Sequence, residues 1–170
     1  MRVIKIFDAE DYNPGWSRLK RTAVRAIVFV DDLLAMVKSE KYGEYKILGG
    51  GIKEGETHKG TLAREVLEEA GLHVLPDTIT PYGKTLELRR SNWADNEIFE
   101  QESFYYICEV DANLRSPPAL DDDYEVEYGY KPVFVTLVEA IATNEQLLGM
   151  PEVPWVRRDL AILHEIRRML

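Results

Sequence analysis

Glu56, Glu65, Glu68 and Glu69 are the residues of this chain whose types and spacing could do chemistry. The last three fall at i, i+3 and i+4, so on a helix advancing roughly 100° per residue they project from one side. Carboxylates gathered in this way repel one another unless a positive charge sits among them, and a divalent, oxygen-loving cation is the simplest such charge. A Glu-rich helix is most often just a solvated face. Here, however, the carboxylates follow Gly49-Gly50-Gly51, a run that lets the backbone take an unusual path and bring its carbonyls or amides close to a ligand or metal.

The full pattern is tighter than a charge run. It reads Gly50, five residues, Glu56, seven residues, Arg64-Glu65, the aliphatic Val66, one residue, Glu68-Glu69, one residue, Gly71 and the aliphatic Leu72. This stretch resembles the Nudix hydrolase signature at every defined position, although it covers only residues 50–72 of the 170. The resemblance implies a mixed β-sheet between helices, an α/β/α sandwich. It also implies a metal-dependent pyrophosphohydrolase that cleaves a nucleoside diphosphate linked to another moiety, or a related organic pyrophosphate. The implied cofactor is Mg²⁺, with Mn²⁺ as a substitute. By the same resemblance Glu65 and Glu69 are the strongest metal ligands and Glu68 the third. The backbone carbonyl of Gly49 also contacts metal, and Glu56 and Arg64 form an ion pair that fastens the loop to the helix. Bidentate Arg–carboxylate geometry suits that last task. One position departs from the family pattern: Leu48 stands where a proline commonly precedes the glycine pair. A non-catalytic nucleotide-sensing module on the same fold is the alternative. Such modules commonly lose a signature carboxylate, and this chain keeps all of them.

The general base has two sources in the family, a signature Glu or a carboxylate from a distant loop. The acidic stretch before Gly129 offers Glu127 as first choice and Glu125 as second, whereas Asp121, Asp122 and Asp123 read as solvated charges. For phosphate binding, Arg18, Lys20, Arg21 and Arg25 lie on or before an apolar strand, and Lys46 and Lys53 flank the glycine turn. Arg25, Lys46 and Lys53 are the candidates taken forward, with arginine the better fork for phosphate oxygens. Tyr12, Trp16, Trp93, Tyr124, Tyr128 and Tyr130 fall in predicted loops, where an aromatic ring either stacks on a nucleobase or seals a core edge. His58, His73 and His164 show no metal-ligand spacing.

The net charge of -9 excludes a broad nucleic-acid surface, which needs a basic footprint. It leaves room for a small phosphorylated substrate such as a nucleotide derivative, since a bound divalent ion reverses the local sign. Cys108 is the only cysteine and sits in an apolar run, so it is expected to be a buried, inert thiol. The start of the chain lacks a signal-peptide core, and no apolar run reaches membrane-spanning length, so a cytoplasmic location is expected.

The elements that must position these residues follow from periodicity. A single domain over residues 1–170 suits the length. Short strands are expected at Val3–Phe7, Thr22–Val30, Leu33–Lys38, Glu44–Leu48, Tyr82–Leu88, Phe99–Val110 and Val133–Thr136, with Asp31-Asp32 closing a hairpin. The signature helix should be capped by Thr57 and ended by Gly71. Asp111–Lys131 reads as one long irregular loop, of the kind that often covers a substrate. Thr136-x-x-Glu139 resembles a capping box for a helix ending near Gly149. A last amphipathic helix starts at Pro154, and its apolar face suits either the interior or a homodimer contact.

Overall fold

The computed structural model describes residues 1–120 and 123–170. Strands β1 (Val3–Asp8), β2 (Ser17–Ile27), β6 (Gly49–Gly51), β8 (Thr80–Arg90) and β9 (Glu97–Ile107) form a five-stranded sheet in the order β1-β8-β9-β2-β6. That sheet is mixed: β1 runs parallel to β8 and β2 parallel to β9, and the other two pairs are antiparallel. A second, antiparallel sheet is centred on β4 (Leu33–Ser39). One edge of β4 pairs with β11 (Tyr130–Val135), and the other edge pairs with β3 (Phe29–Val30) and then β5 (Tyr45–Ile47). A two-stranded ribbon joins β7 (Leu72–Val74) to β10 (Val110–Arg115). Helices α1 (His58–Ala70), α2 (Asp123–Tyr128), α3 (Leu137–Gln146) and α4 (Val156–Met169) complete the fold.

Strand alternation divides the interior into two layers. Side chains point to opposite faces every second residue, so β2 sends Val24 and Ala26 to a core that also holds Leu62 and Val66 of α1. Ile27 goes the other way, to a core shared with Ile141 of α3 and with Leu160, Leu163 and Ile166 of α4. In β4, Ala35 and Val37 follow the first set, and Leu34 and Met36 the second. The result is the expected α/β/α sandwich with helices on both faces. The apolar face of α4 is thereby used inside the chain. Cys108 is buried, and burial pushes its thiol up to about 12, as its apolar setting predicted. No helix of the described residues is long and apolar enough to cross a membrane.

The local signals around α1 act as their chemistry requires. Thr57 Oγ1 accepts from Gly60 N at 3.1 Å and caps the helix. Gly71 ends it at φ 65, donating its N–H to Leu67 O. A Cβ at Gly71 would lie 1.9 Å from the carbonyl oxygen of Ser116, so both the backbone angle and the neighbouring chain demand glycine there. Glu56 clasps the glycine turn to the helix: its carboxylate takes Arg64 Nε at 2.6 Å and Arg64 Nη2 at 2.9 Å, together with the Lys53 amide and the Thr61 hydroxyl. At the Asp31-Asp32 hairpin both residues take positive φ, 50° and 65°, as a two-residue turn with the right-handed strand twist requires.

Elsewhere the structure departs from the expectations. Strand β2 begins at Ser17, five residues before its apolar half, because the exposed SRLKR segment pairs in register with β9. Asp111–Lys131 is not one irregular loop: it contains the end of β10, the short helix α2 and the start of β11. Asp121 and Asp122 lie outside the described residues. Helix α3 ends at Gln146, and its capping box is half formed. Thr136 Oγ1 accepts from Glu139 N, but the Glu139 carboxylate takes the Tyr45 hydroxyl at 2.7 Å.

The Glu56 clasp gives a pH dependence. The Arg64 guanidinium, helped by the Lys53 amide, holds the Glu56 carboxyl down at about 2, below its ordinary value of 4.5. A depressed carboxylate contributes stability that is complete above the unfolded value and is lost as pH falls through the folded one. Melting temperatures of wild type and Glu56→Gln should therefore differ most near neutral pH and converge between about pH 4.5 and 2. A gap that stays constant down to pH 2 would contradict this role.

Candidate active site

The carboxylates of α1 meet the glycine turn at its inner edge. Thr61, Leu62, Glu65, Val66 and Glu69 are the buried residues of the helix, so two of its acids share the buried side with the apolar stripe. Glu65 lies against Gly50, where a Cβ would come within 2.5–2.6 Å of the carboxylate. Any larger residue at Gly50 would push Glu65 away from the turn.

Each carboxylate is held by a nitrogen. Arg64 Nη1 donates to Glu65 Oε1 at 2.8 Å and to Glu68 Oε2 at 2.9 Å, while the rest of its guanidinium faces Glu56. Glu69 Oε2 accepts from the Gly49 amide at 2.6 Å, and Glu69 Oε1 takes Lys46 Nζ at 3.0 Å. The same Lys46 nitrogen bonds Glu125 Oε1 at 3.0 Å, so a lysine only 3% exposed joins α1 to α2. Burial pushes the Glu69 carboxyl up, Lys46 draws it back, and Glu125 pushes it further up. Burial likewise raises Glu65, opposed by Arg64. A buried carboxylate is costly unless it is paired, and these pairs are what allow the cluster to exist.

The sequence candidates are placed unevenly. Glu65, Glu68, Glu69 and Arg64 are together, with Glu65, Glu68 and Arg64 lining a cleft of about 150 Å³ that also receives Lys53, Arg21 and Glu125. Glu127, the first choice for a distant base, is apart from them. It faces Lys41 at 2.6 Å and its side chain is 64% exposed. Glu125 is the α2 carboxylate that turns inward, because a six-residue helix two positions out of phase sends the two acids to opposite sides. Lys46, a candidate for phosphate binding, faces Glu69 and Glu125 instead. The Gly49 carbonyl, expected to contact metal, accepts from Arg25, which also donates to Ile47 O at 3.3 Å. His58 meets the Tyr106 hydroxyl and the Phe104 ring, His73 meets Ser116, and His164 meets Glu145. The side chain of Tyr124 lies outside the described residues.

One feature escaped sequence reasoning. A second cavity of about 300 Å³ adjoins the carboxylate cleft and shares Arg21 with it. Register builds its floor: Arg21 of β2 pairs with Gln101 of β9, and Gln101 pairs with Glu87 of β8, so all three project from one face of the sheet. Trp93 from the β8–β9 loop and Trp155 and Arg158 at the start of α4 form its walls. The only hint in the sequence was Trp93 in a polar loop.

Among the described residues no three carboxylate, imidazole or thiol groups already stand at the mutual spacing of a metal cluster. The donor set nevertheless suits a hard divalent ion. It is anionic and all oxygen, and the Glu65 and Glu68 oxygens converge on one cationic nitrogen.

Comparison with known proteins accords with this geometry. Residues 19–153 match the family model described as NUDIX domain. Nucleoside triphosphatase NudI of Escherichia coli (strain K12) is 36% identical over 72 residues, which are 42% of this chain and 51% of that protein. The chain thus spans about half the length of the curated relatives it matches. Among solved structures, a NUDIX hydrolase from Nitrosomonas europaea superposes with a TM-score of 0.55 at 19% identity, covering 83% of this chain and 88% of that one. An ADP compounds hydrolase superposes with a TM-score of 0.54 at 23% identity, covering 88% and 72%. At these identities the two structures speak to the fold alone. With the family model matched across well over half of its length and the glycine turn and α1 carboxylates in their signature order, the chain belongs to the NUDIX family.

Proposed function

We propose that this protein is a divalent-metal-dependent hydrolase of phosphoanhydride bonds, acting on a nucleoside diphosphate joined to a second moiety. The observation that carries the reading is the set of three carboxylates on α1, two of them buried, pressed against a glycine turn beside a cleft lined with basic groups. A nucleoside triphosphatase among the sequence relatives supports a nucleotide-derived substrate.

Polyphosphates resist water because their own charge repels a nucleophile, and Mg²⁺ or Mn²⁺ supplies Lewis acidity toward phosphoryl oxygens and toward water. Glu65, Glu68 and Glu69 would hold the ion. Arg64, clamped by Glu56, sets the rotamers of Glu65 and Glu68. Lys53 and Arg21 at the cleft bind phosphate oxygens, leaving Arg25 and Lys46 to support the turn and Glu69 from beneath. Water attacks one phosphorus, the bridging P–O bond breaks, and the proton passes to a carboxylate. Glu125 lines the cleft beside Glu65 and Glu68 and is the residue we assign to that proton, in place of the outward-facing Glu127. Two phosphorylated fragments leave.

A panel of nucleoside triphosphates, dinucleoside polyphosphates, nucleotide sugars and ADP-ribose tests this reading. Turnover should require Mg²⁺ or Mn²⁺ and should fall at least about 100-fold in Glu69→Gln, as removal of a key electrostatic group does. Binding without product across the panel would point to a sensor and remove the assignment. For the base, Glu125→Gln should lower kcat by at least about 100-fold, the lower end for a lost proton acceptor. Glu127→Gln should stay within about twofold, as a change at an exposed ion pair does. The reverse order would return the role to Glu127.

A further inference from the structure

Helix α2 carries the carboxylate assigned to the proton, yet it has only six residues, a length that is marginal in water without tertiary support. Its last residue supplies much of that support. The Tyr128 carbonyl accepts three donors from the turn after β4: Glu40 N at 3.1 Å, Lys41 N at 3.2 Å and Ser39 Oγ at 3.2 Å. Gly129 follows at φ 64° and donates its N–H to Val126 O, so the chain turns directly from the helix into β11.

The Tyr128 ring is clasped as well. Tyr42 meets it edge-on at 5.3 Å, Trp155 lies 5.9 Å away and Tyr130 6.2 Å away, and the Lys41 ammonium sits over it at 4.9 Å. These partners come from the β4–β5 turn, from β11 and from the residue before α4. Aromatic pairs at such separations contribute beyond the area they bury. Tyr130 carries the clasp on to the cleft: the Lys46 ammonium lies 5.2 Å from its ring centre, and that ammonium holds Glu125 at 3.0 Å. Glu125 and Tyr128 stand three residues apart, so they are neighbours on one side of α2. Glu125 is 6% exposed, whereas Val126 and Glu127 between them face solvent.

We propose that Tyr128 is a positioning residue: its ring, clasped by Tyr42, Tyr130 and Trp155, sets the phase of α2 and so aims the Glu125 carboxylate into the cleft. The proposal rests on the assignment of Glu125 as proton acceptor in the hydrolase reading. Without the ring, α2 keeps its carbonyl bonds to the turn but loses the packing that fixes its inner side. A misplacement of about 1 Å suffices to cost about 100-fold in rate. Neither the ring contacts nor the carbonyl bonds use the Tyr128 hydroxyl, so phenylalanine should serve in its place.

Steady-state kinetics with Mg²⁺ tests it, on whichever of ATP, ADP-ribose, UDP-glucose and diadenosine tetraphosphate the wild type hydrolyses fastest. Tyr128→Ala should lower kcat at least about tenfold and leave KM within about threefold. Tyr128→Phe should keep kcat within about threefold, and Tyr42→Ala should follow Tyr128→Ala with a smaller loss. In a Glu125→Gln background Tyr128→Ala should add less than about twofold, since residues acting through one group are not additive. Hydrogen exchange gives a readout without turnover: amides of residues 123–130 should exchange at least about tenfold faster in Tyr128→Ala, with α1 unchanged. Equal kcat losses from Tyr128→Ala in both backgrounds would mean that the ring supports only the fold, and would overturn the proposal. Unchanged kcat or unchanged exchange in Tyr128→Ala would overturn it too. Wild-type turnover in Glu125→Gln would remove the proposal and leave the hydrolase reading standing. No turnover of any compound by the wild type would sink that reading, and exchange would then decide the clasp: faster in Tyr128→Ala supports it, unchanged overturns it.

Discussion

Three like charges on one helical face are the constraint around which the rest of this structure is arranged. Glu65, Glu68 and Glu69 cannot crowd one side of α1, two of them buried, unless cations stand among them. The chain supplies Arg64 for Glu65 and Glu68, and Lys46 for Glu69. Each cation is fixed in turn by a further acid, Glu56 for Arg64 and Glu125 for Lys46. The pattern is a pair of clamps, one reaching back to the glycine turn and one across to α2. Surface ion pairs contribute little on their own, but the Lys46 pairs are buried, where loss of one partner strands the other. The carboxylates are thus ordered by protein groups before any ligand arrives, which is the preorganisation that electrostatic catalysis requires.

The β-sheet register converts this cluster into a site with two compartments. Val24 and Ala26 of β2 pack under α1, while Arg21, Arg25 and Ile27 face the α4 layer. A single strand therefore carries the core of one layer and the basic floor of the other, and its antiparallel pairing with Gly49–Gly51 sets the glycine turn beside both. The polar row Arg21–Gln101–Glu87 crosses three strands at the point where the sheet leaves its apolar core. A one-residue slip of β2 against β9 would exchange its faces and dissolve the cavity.

What the sequence reveals about this protein is local, and what it hides is long-range. The α1 cap, its Gly71 terminus, the Asp31-Asp32 hairpin and the signature carboxylates are encoded within a few neighbouring residues, so spacing and residue type expose them. The choice between Glu125 and Glu127 depends on the phase of a six-residue helix, and that phase is set by contacts with Lys46 some 79 positions away. Lys46 reads as a phosphate-binding candidate because the two partners that hold it come from distant helices. The exposed half of β2 has no apolar periodicity, since its strand character comes from pairing with β9. The second cavity is assembled from β2, β8, β9 and the start of α4, which no window of the sequence brings together.

The central claim is that these preordered carboxylates form a divalent-cation site. Electron paramagnetic resonance of Mn²⁺ titrated into wild type and into Glu65→Gln/Glu69→Gln measures this without any substrate. The account predicts saturable Mn²⁺ binding by wild type below millimolar concentration and at least about a tenfold weaker site in the double variant, the loss expected when ligand charge is removed. Free Mn²⁺ signal undiminished by wild-type protein at millimolar concentration, or equal binding by both proteins, would contradict it.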